Sequence, residues 1–238
     1  MPEERLEPLR EDWESGLAIV AHPDDLEYGA ASAIAKWTAA GKRISYVLVT
    51  RGEAGLAIPP DQAGPLREAE ERASASVVGV DTVEFLGHPD GMITFDLALR
   101  RDLARAIRRH RPEVVIGINF RDSFGGPSLN FADHRHVGLA TVDAVRDASN
   151  PWVFRELVDE GHGPWSGVKL AAFNASPQPT HYVDITGWLD RGIESLEQHR
   201  AYLEHVGTNA REMLTEWATA TGASVGCEHA VTFEVFQF

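Results

Sequence analysis

The chain has 238 residues, 43% hydrophobic and 24% charged, with a formal net charge of −14 at pH 7. That length and composition supply a sizeable core for one globular domain and exclude a disordered chain. The acidic balance argues against nucleic acid or an anionic membrane as partner and leaves a neutral or cationic small molecule compatible, as well as assembly into a homo-oligomer. Nineteen arginines stand against three lysines (Lys36, Lys42, Lys169), a usage of GC-rich bacterial genomes that bears on origin rather than function. Cys227 is the one cysteine, so neither an intrachain disulfide nor a cysteine zinc finger can be built. The stretch Met1 to Ser15 is densely charged and lacks the apolar centre of a signal peptide. No apolar run approaches the roughly 20 residues that span a bilayer. These features predict a cytoplasmic protein.

Gly16 to Val20 is a continuous apolar run, the mark of a strand buried on both faces. Ala30, Ala33, Ile34, Trp37 and Ala40 follow at helical spacing and end at Gly41. Ile44 to Val49 predicts a second strand, and Leu66, Ala69, Ala73 and Val77 a second helix stopped by Gly79. Val83 to Leu86 predicts a third strand, with a third helix striped by Leu99, Leu103 and Ile107. Val114 to Ile118 predicts a fourth strand, followed by a helix from about His134 to Ala148. The last third is less regular, with strands expected at 168–173, 182–185 and 231–236 and helices at 189–206 and 211–220. Strands alternating with helices predict an α/β, Rossmann-like fold: a mostly parallel sheet with helices on both faces. No repeat or linker divides the chain, so residues 1–238 are expected to form one domain, with the irregular part from about 150 shaping the substrate pocket. Six arginines between Arg100 and Arg111 are expected to be the solvated face of the third helix rather than a nucleic-acid patch.

The turn after the first strand carries Ala21-His22-Pro23-Asp24-Asp25-Leu26-Glu27. Ligands of open α/β sheets gather outside the carboxyl ends of the strands, where the strand order reverses. This turn has no glycine-rich phosphate fingerprint; it offers a histidine and two carboxylates within four residues. Hydrolytic zinc takes three histidine or carboxylate ligands and leaves a position for water. His22 and Asp25 supply two ligands and Asp24 stands beside the activated water as general base. An N-cap would explain one aspartate but not His22. With strand order 3-2-1-4-5, the loop after the fourth strand faces this turn. There, Asp133-His134-Arg135-His136 supplies His134 as third ligand, and Asp133 as the carboxylate orienting a site histidine.

His22-Pro-Asp-Asp25, Thr50-Arg-Gly-Glu53 and Asp133-His-Arg135, in that order, resemble the PIG-L/LmbE-like family of zinc-dependent GlcNAc de-N-acetylases, over about residues 16–205. The resemblance implies a Zn2+-dependent hydrolase that removes an N-acetyl group from a small-molecule amino-sugar substrate. It makes His22, Asp25 and His134 the zinc ligands and Asp24 the base. Arg67, in Arg67-Glu-Ala-Glu70, and Asp90, in Gly87-His-Pro-Asp-Gly91, resemble positions that contact sugar hydroxyls in related deacetylases; Glu53 is grouped with them. One departure stands out. Many members carry a carbonyl-polarising histidine three residues before the third ligand, and here Phe131 occupies that place. His88 and His181 are the expected replacements, with Asn130 and His136 behind them. His110, His162, His199, His205 and His229 are expected to be at the surface or locally bonded, and Trp152 and Trp165 to pack in the core. An N-deacylase of a glycosylated secondary metabolite and a non-catalytic sugar- or metal-binding domain are the alternatives.

Overall fold

A computed structural model describes residues 6–238, so the first five residues of the charged N-terminal stretch lie outside the described part. In chain order the elements are β1 (Glu7–Pro8), β2 (Ser15–Val20), α1 (Ala31–Ala39), β3 (Arg43–Leu48), α2 (Pro60–Val77), β4 (Thr82–Phe85), α3 (Leu97–His110) and β5 (Val114–Ile118). There follow β6 (Ser123–Gly125), β7 (Ser128–Leu129), α4 (Ala132–Ser149), α5 (Glu156–Asp159), β8 (Leu170–Asn174) and β9 (His181–Asp184). The chain closes with α6 (Leu189–Leu196), α7 (Arg200–Val206), α8 (Ala210–Val225) and β10 (Ala230–Gln237).

The main sheet has eight strands in the order β1-β9-β10-β8-β5-β2-β3-β4, and β6 and β7 form a separate hairpin. From β8 to β4 all neighbours are parallel. These five strands have the predicted order, with the reversal between β2 and β5. β10 runs antiparallel to both β8 and β9, and β1 adds a short parallel edge. The strand β2 shows why the central run reads as unbroken apolar sequence. Ala18 and Val20 join the core beneath α1, α6 and α8, whereas Leu17 and Ile19 join the core beneath α3 and α4. Each of these side chains leaves water, and burial of a Leu or Ile contributes about 1.5–3 kcal/mol.

Three local features differ from the sequence reading. Helix α2 begins at Pro60, whose missing N–H costs nothing in the first turn; its first residues are polar, so the apolar stripe marks only the later part. The helix expected over 189–206 is two helices, broken at His199, whose φ of −78° and ψ of 57° leave the helical region. The strand β1 and the β6–β7 hairpin are too short for periodicity to register. The arginine-rich face of α3 is spent on its own protein. Arg100 pairs with Asp147, and the buried Arg108 donates to the carbonyls of Asp147, Ala148, Asn150, Val153 and Phe154. Among the described residues no helix is long and apolar enough to cross a membrane.

Candidate metal centre and catalytic pocket

The carboxyl ends of β2, β3, β4 and β5 lead into four loops, and the start of α4 closes the space between them. The turn after β2 is tied down first. Asp25 Oδ2 accepts the backbone N–H groups of Ala21 and His22 at 3.0 and 2.9 Å, which folds the turn back on the strand end. The other oxygen, Oδ1, lies 2.9 Å from His134 Nε2 in the first turns of α4. His22 Nδ1 lies 3.1 Å from His134 Nε2 and 3.7 Å from Asp25 Oδ2. Three ligand atoms from two neighbouring strand ends therefore converge on one point. A metal bonded to three tetrahedral donors at about 2.0–2.2 Å would hold them roughly 3.3–3.6 Å apart.

The outward nitrogens of the two rings decide what that point requires. His22 Nε2 faces two carboxylate oxygens, Asp90 Oδ1 at 3.0 Å and Asp133 Oδ2 at 3.3 Å. His134 Nδ1 faces Asn130 Oδ1 at 3.0 Å. The amide of Asn130 is fixed in that sense, because its Nδ2 donates to the carbonyls of Asn119 and Arg121. The partners thus assign the ring protons to the outward nitrogens, leaving two lone pairs facing each other across 3.1 Å. Two lone pairs and a carboxylate oxygen are a repulsive set on their own and a fitting donor set for a divalent cation. The same carboxylates make this a point that attracts positive charge, whether a proton or a metal cation. Burial lowers the proton affinity of His22, yet Asp133, Asp25 and Asp90 outweigh it and hold the pKa well above the ordinary value. Burial disfavours charge on Asp25, but His134 and His22 keep its carboxyl below the usual carboxylate range.

Asp24 is set apart from this trio. Its carboxylate accepts from Arg67 Nη2 at 2.5 Å, and burial pushes its pKa up to about 7 against the pull of that guanidinium. The two adjacent aspartates are thus driven to opposite ends of the carboxylate range. The residues line a cavity of about 320 Å³ together with Ala54, Gly55, Phe131 and Tyr202. Gly52, at φ 64°, makes room for Arg67, since a Cβ there would meet Nη1 at 2.7 Å. This is the work of the glycine in Thr50-Arg-Gly-Glu53.

Several expected roles change place. Asp133 reaches His22 and also accepts the N–H groups of Gly91 at 2.8 Å and Ile93 at 3.2 Å, pinning the loop after β4 to the site. Asp90, expected at sugar hydroxyls, lines the cavity but has one oxygen on His22 and the other on the Ala54 N–H. Glu53 does not line the cavity; it accepts from the N–H groups of Asp90 and Arg51. His88 turns away toward α3, where its Nε2 meets Asp102 at 3.2 Å. His181 bonds Thr180 on β9, four strand positions from β2, which is roughly 19 Å at the usual strand spacing. Neither histidine lines the cavity. His136 bonds the Ile93 carbonyl, and Asn130 is committed as described. The segment 150–179 does not shape the cavity either. Among the described residues past 150, the lining draws on Tyr202 alone. Trp165 donates to the Pro112 carbonyl and packs against the core, while Trp152 is exposed. His199, expected at the surface or locally bonded, is fully buried beside Glu27 and Glu71. Residue type alone does not mark Tyr202, Glu71 or His199 as members of the site or its surroundings. Only the four-residue spacing of Arg67 and Glu71, which puts both on one face of α2, offered a signal.

The sequence profile of the PIG-L family, described as GlcNAc-PI de-N-acetylase, matches residues 17–145, more than half of the chain. The chain belongs to this family. Among relatives, this PIG-L protein is 28% identical to diacetylchitobiose deacetylase of Thermococcus kodakarensis over 193 residues, covering 80% of the chain and 70% of the relative. It is 30% identical to 1D-myo-inositol 2-acetamido-2-deoxy-alpha-D-glucopyranoside deacetylase of Streptomyces scabiei over 178 residues, covering 61% of the chain but about half, 55%, of that relative's length. Its fold matches the structure of N,N'-diacetylchitobiose deacetylase from Pyrococcus horikoshii in complex with an inhibitor. The TM-score is 0.85 at 23% identity, over 95% of this chain and 85% of that one.

Proposed function

We propose that this PIG-L protein is a zinc-dependent amidase that removes the N-acetyl group of a small amino-sugar substrate, with His22, Asp25 and His134 as ligands and Asp24 as general base. The observation that carries the reading is the convergence of three ligand atoms, each braced from behind, beside a carboxylate whose pKa is pushed up to about 7. The deacetylase names of the relatives support the substrate class. A divalent ion held by His22, Asp25 and His134 would supply Lewis acidity toward an acyl carbonyl and would activate water. Asp24 accepts the proton of the attacking water as its oxygen bonds to the acyl carbon. As the C–N bond breaks, the same carboxyl returns that proton to the leaving nitrogen, giving a free amine and acetate. Asp25, held ionised, does not compete for the proton. A cavity of about 320 Å³ is at the lower end of small-molecule sites, about 300–1,000 Å³, and suits one sugar ring with its acyl group.

The place of the missing histidine falls to Tyr202. Arg67 is already engaged by Asp24 and the Pro23 carbonyl. Burial pushes the Tyr202 phenol up to about 12, so its O–H remains a donor at neutral pH. Tyr202→Phe should lower kcat by about 10²–10³ without loss of metal, the usual cost of one oxyanion donor; unchanged turnover would remove Tyr202 from this role.

Incubation of the zinc-loaded protein with N,N'-diacetylchitobiose and with N-acetylglucosaminides of other aglycones tests the main reading. Stoichiometric acetate and free amine are expected, abolished by a chelator and restored by zinc. Absence of acetate from every amino sugar would sink it. One feature favours a second reading, deacylation of a metabolite with an apolar portion. Phe131 lines the cavity yet is 66% exposed, and Leu129, two residues before it, is 72% exposed. Preference for long-chain over acetyl amides in the same panel would select it.

A further inference from the structure

Behind Asp24, away from the cavity, lies a second polar cluster. Glu27, Glu71 and His199 are buried, and His199 Nε2 stands 3.8 Å from Glu27 Oε2 and 3.7 Å from Glu71 Oε2. Those separations exceed direct hydrogen bonds. Among the described residues, Glu27 Oε2, Glu71 Oε1 and both His199 nitrogens have no hydrogen-bonding partner. Ser74 ties the cluster to its neighbours, with its Oγ 2.7 Å from Glu27 Oε1 and 2.7 Å from Ser195 Oγ. One atom of the cluster reaches the catalytic turn: Glu71 Oε2 accepts the backbone N–H of Asp24 at 3.3 Å.

That bond has a counterpart. Arg67, one turn earlier on the same face of α2, donates Nη2 to the Pro23 carbonyl at 2.7 Å. The Pro23–Asp24 peptide unit is thus held at both polar ends from a single helix, its C=O by Arg67 and its N–H by Glu71. The residue that follows this peptide is the one that needs holding. Asp24 has φ of 80°, a left-handed conformation that a residue with a Cβ adopts at a cost and keeps only where its surroundings over-determine it. A flip of the peptide unit would return Asp24 to negative φ and swing its carboxylate away from the converging ligands. We propose that Glu71 is a positioning residue: it fixes the Pro23–Asp24 peptide so that the Asp24 carboxylate is presented to the pocket.

This inference rests on the reading of Asp24 as the base, and its test separates the two. In the zinc-loaded full-length protein, Glu71→Leu removes the acceptor and Glu71→Gln keeps an oxygen there. Glu71→Leu is expected to lower kcat by about 10–100-fold, the range for groups that orient reactive ones, with KM and metal content unchanged, while Glu71→Gln stays within a few-fold of the parent. Equal damage from Gln and Leu, a rise in KM at constant kcat, or loss of metal in step with activity would each overturn the clamp. So would a second equivalent of bound metal that disappears in His199→Gln, which would assign the cluster to a cation. If Glu71→Leu does not fold, amide hydrogen exchange at Asp24 in the parent decides. Protection like that of β2 is expected, and free exchange overturns the proposal. An active Asp24→Asn variant would instead sink the base assignment, whereas an inactive Asp24→Asn beside a fully active Glu71→Leu sinks the clamp alone.

Discussion

Two clusters of carboxylates and histidine lie back to back around Asp24, and they differ in access and in what stands behind the histidines. In the first, His22, Asp25 and His134 line the cavity, and each ring has its outer nitrogen occupied, by Asp90 and Asp133 or by Asn130. In the second, Glu27, Glu71 and His199 line no part of that cavity, and neither nitrogen of His199 has a partner among the described residues. Similar donor types therefore sit in different surroundings. A braced ring aims a fixed lone pair at an accessible point, which is what a cation and a substrate need. An unbraced imidazole sealed between two carboxylates keeps its proton, and burial lowers its pKa less than Glu27 and Glu71 raise it, to about 9.

The sharpest way to break this comparison is to delete a ligand from the first cluster. His134→Ala leaves Asp25 Oδ1 and His22 Nδ1 without their common partner while keeping the helical position. Bound metal should fall well below one equivalent per chain and turnover should vanish, with the sheet still folded by circular dichroism. Full metal occupancy in this variant would show that the converging point is not the metal site.

A smaller effect separates ligand from base. Asp24→Asn keeps a similar shape and the left-handed preference that Asn tolerates, but it cannot accept a proton. Metal content should remain at the parent level while kcat falls by about 10²–10⁴, the usual worth of a general base. Joint loss of metal and activity would make Asp24 a fourth ligand and merge the roles assigned to the adjacent aspartates.

Much of the first cluster was legible in the sequence, because its members sit at the ends of strongly apolar strands that the order 3-2-1-4-5, supposed for a doubly wound sheet, makes neighbours. His22, Asp24, Asp25, Asp133 and His134 lie within two short segments whose positions after β2 and β5 make them neighbours. The second cluster was not legible. Its members are scattered over positions 27, 71 and 199, and nothing local marks a histidine as buried. His199 reads as one more polar residue in a helical stretch, and its burial depends on how α6 and α7 pack against α1 and α2. His88 and His181 lie outside the cavity lining for a related reason. Residue type alone points to His88 and His181, but a side chain's direction from a loop or a strand depends on its tertiary partners, here Asp102 and Thr180. Tyr202 reaches the cavity from a part of the chain remote from all the motifs, so residue type and spacing could not nominate it.

The gentlest test of the comparison is thermodynamic and concerns His199. Its folded-state pKa of about 9 lies above the ordinary histidine value of 6.5. Below the ordinary value both folded and unfolded chains hold the proton, and the stabilisation from Glu27 and Glu71 is fully present. Between the two values the folded chain keeps a proton that the unfolded chain has released, so stability declines as pH rises; above about pH 9 the contribution is gone. Glu71 acts in the same sense. Burial and the neighbouring carboxylate of Glu27 raise its pKa well above the ordinary value, so its deprotonation at rising pH also disfavours the folded state. The Tm of the zinc-loaded protein should therefore fall between pH 6.5 and 9, and His199→Gln, which carries no titrating charge, should lower Tm at pH 6.5 while flattening that fall. Parallel Tm curves for parent and variant would mean that His199 is neutral in the folded protein. The second cluster would then hold no proton on its histidine, and the electrostatic contrast with the first would be lost.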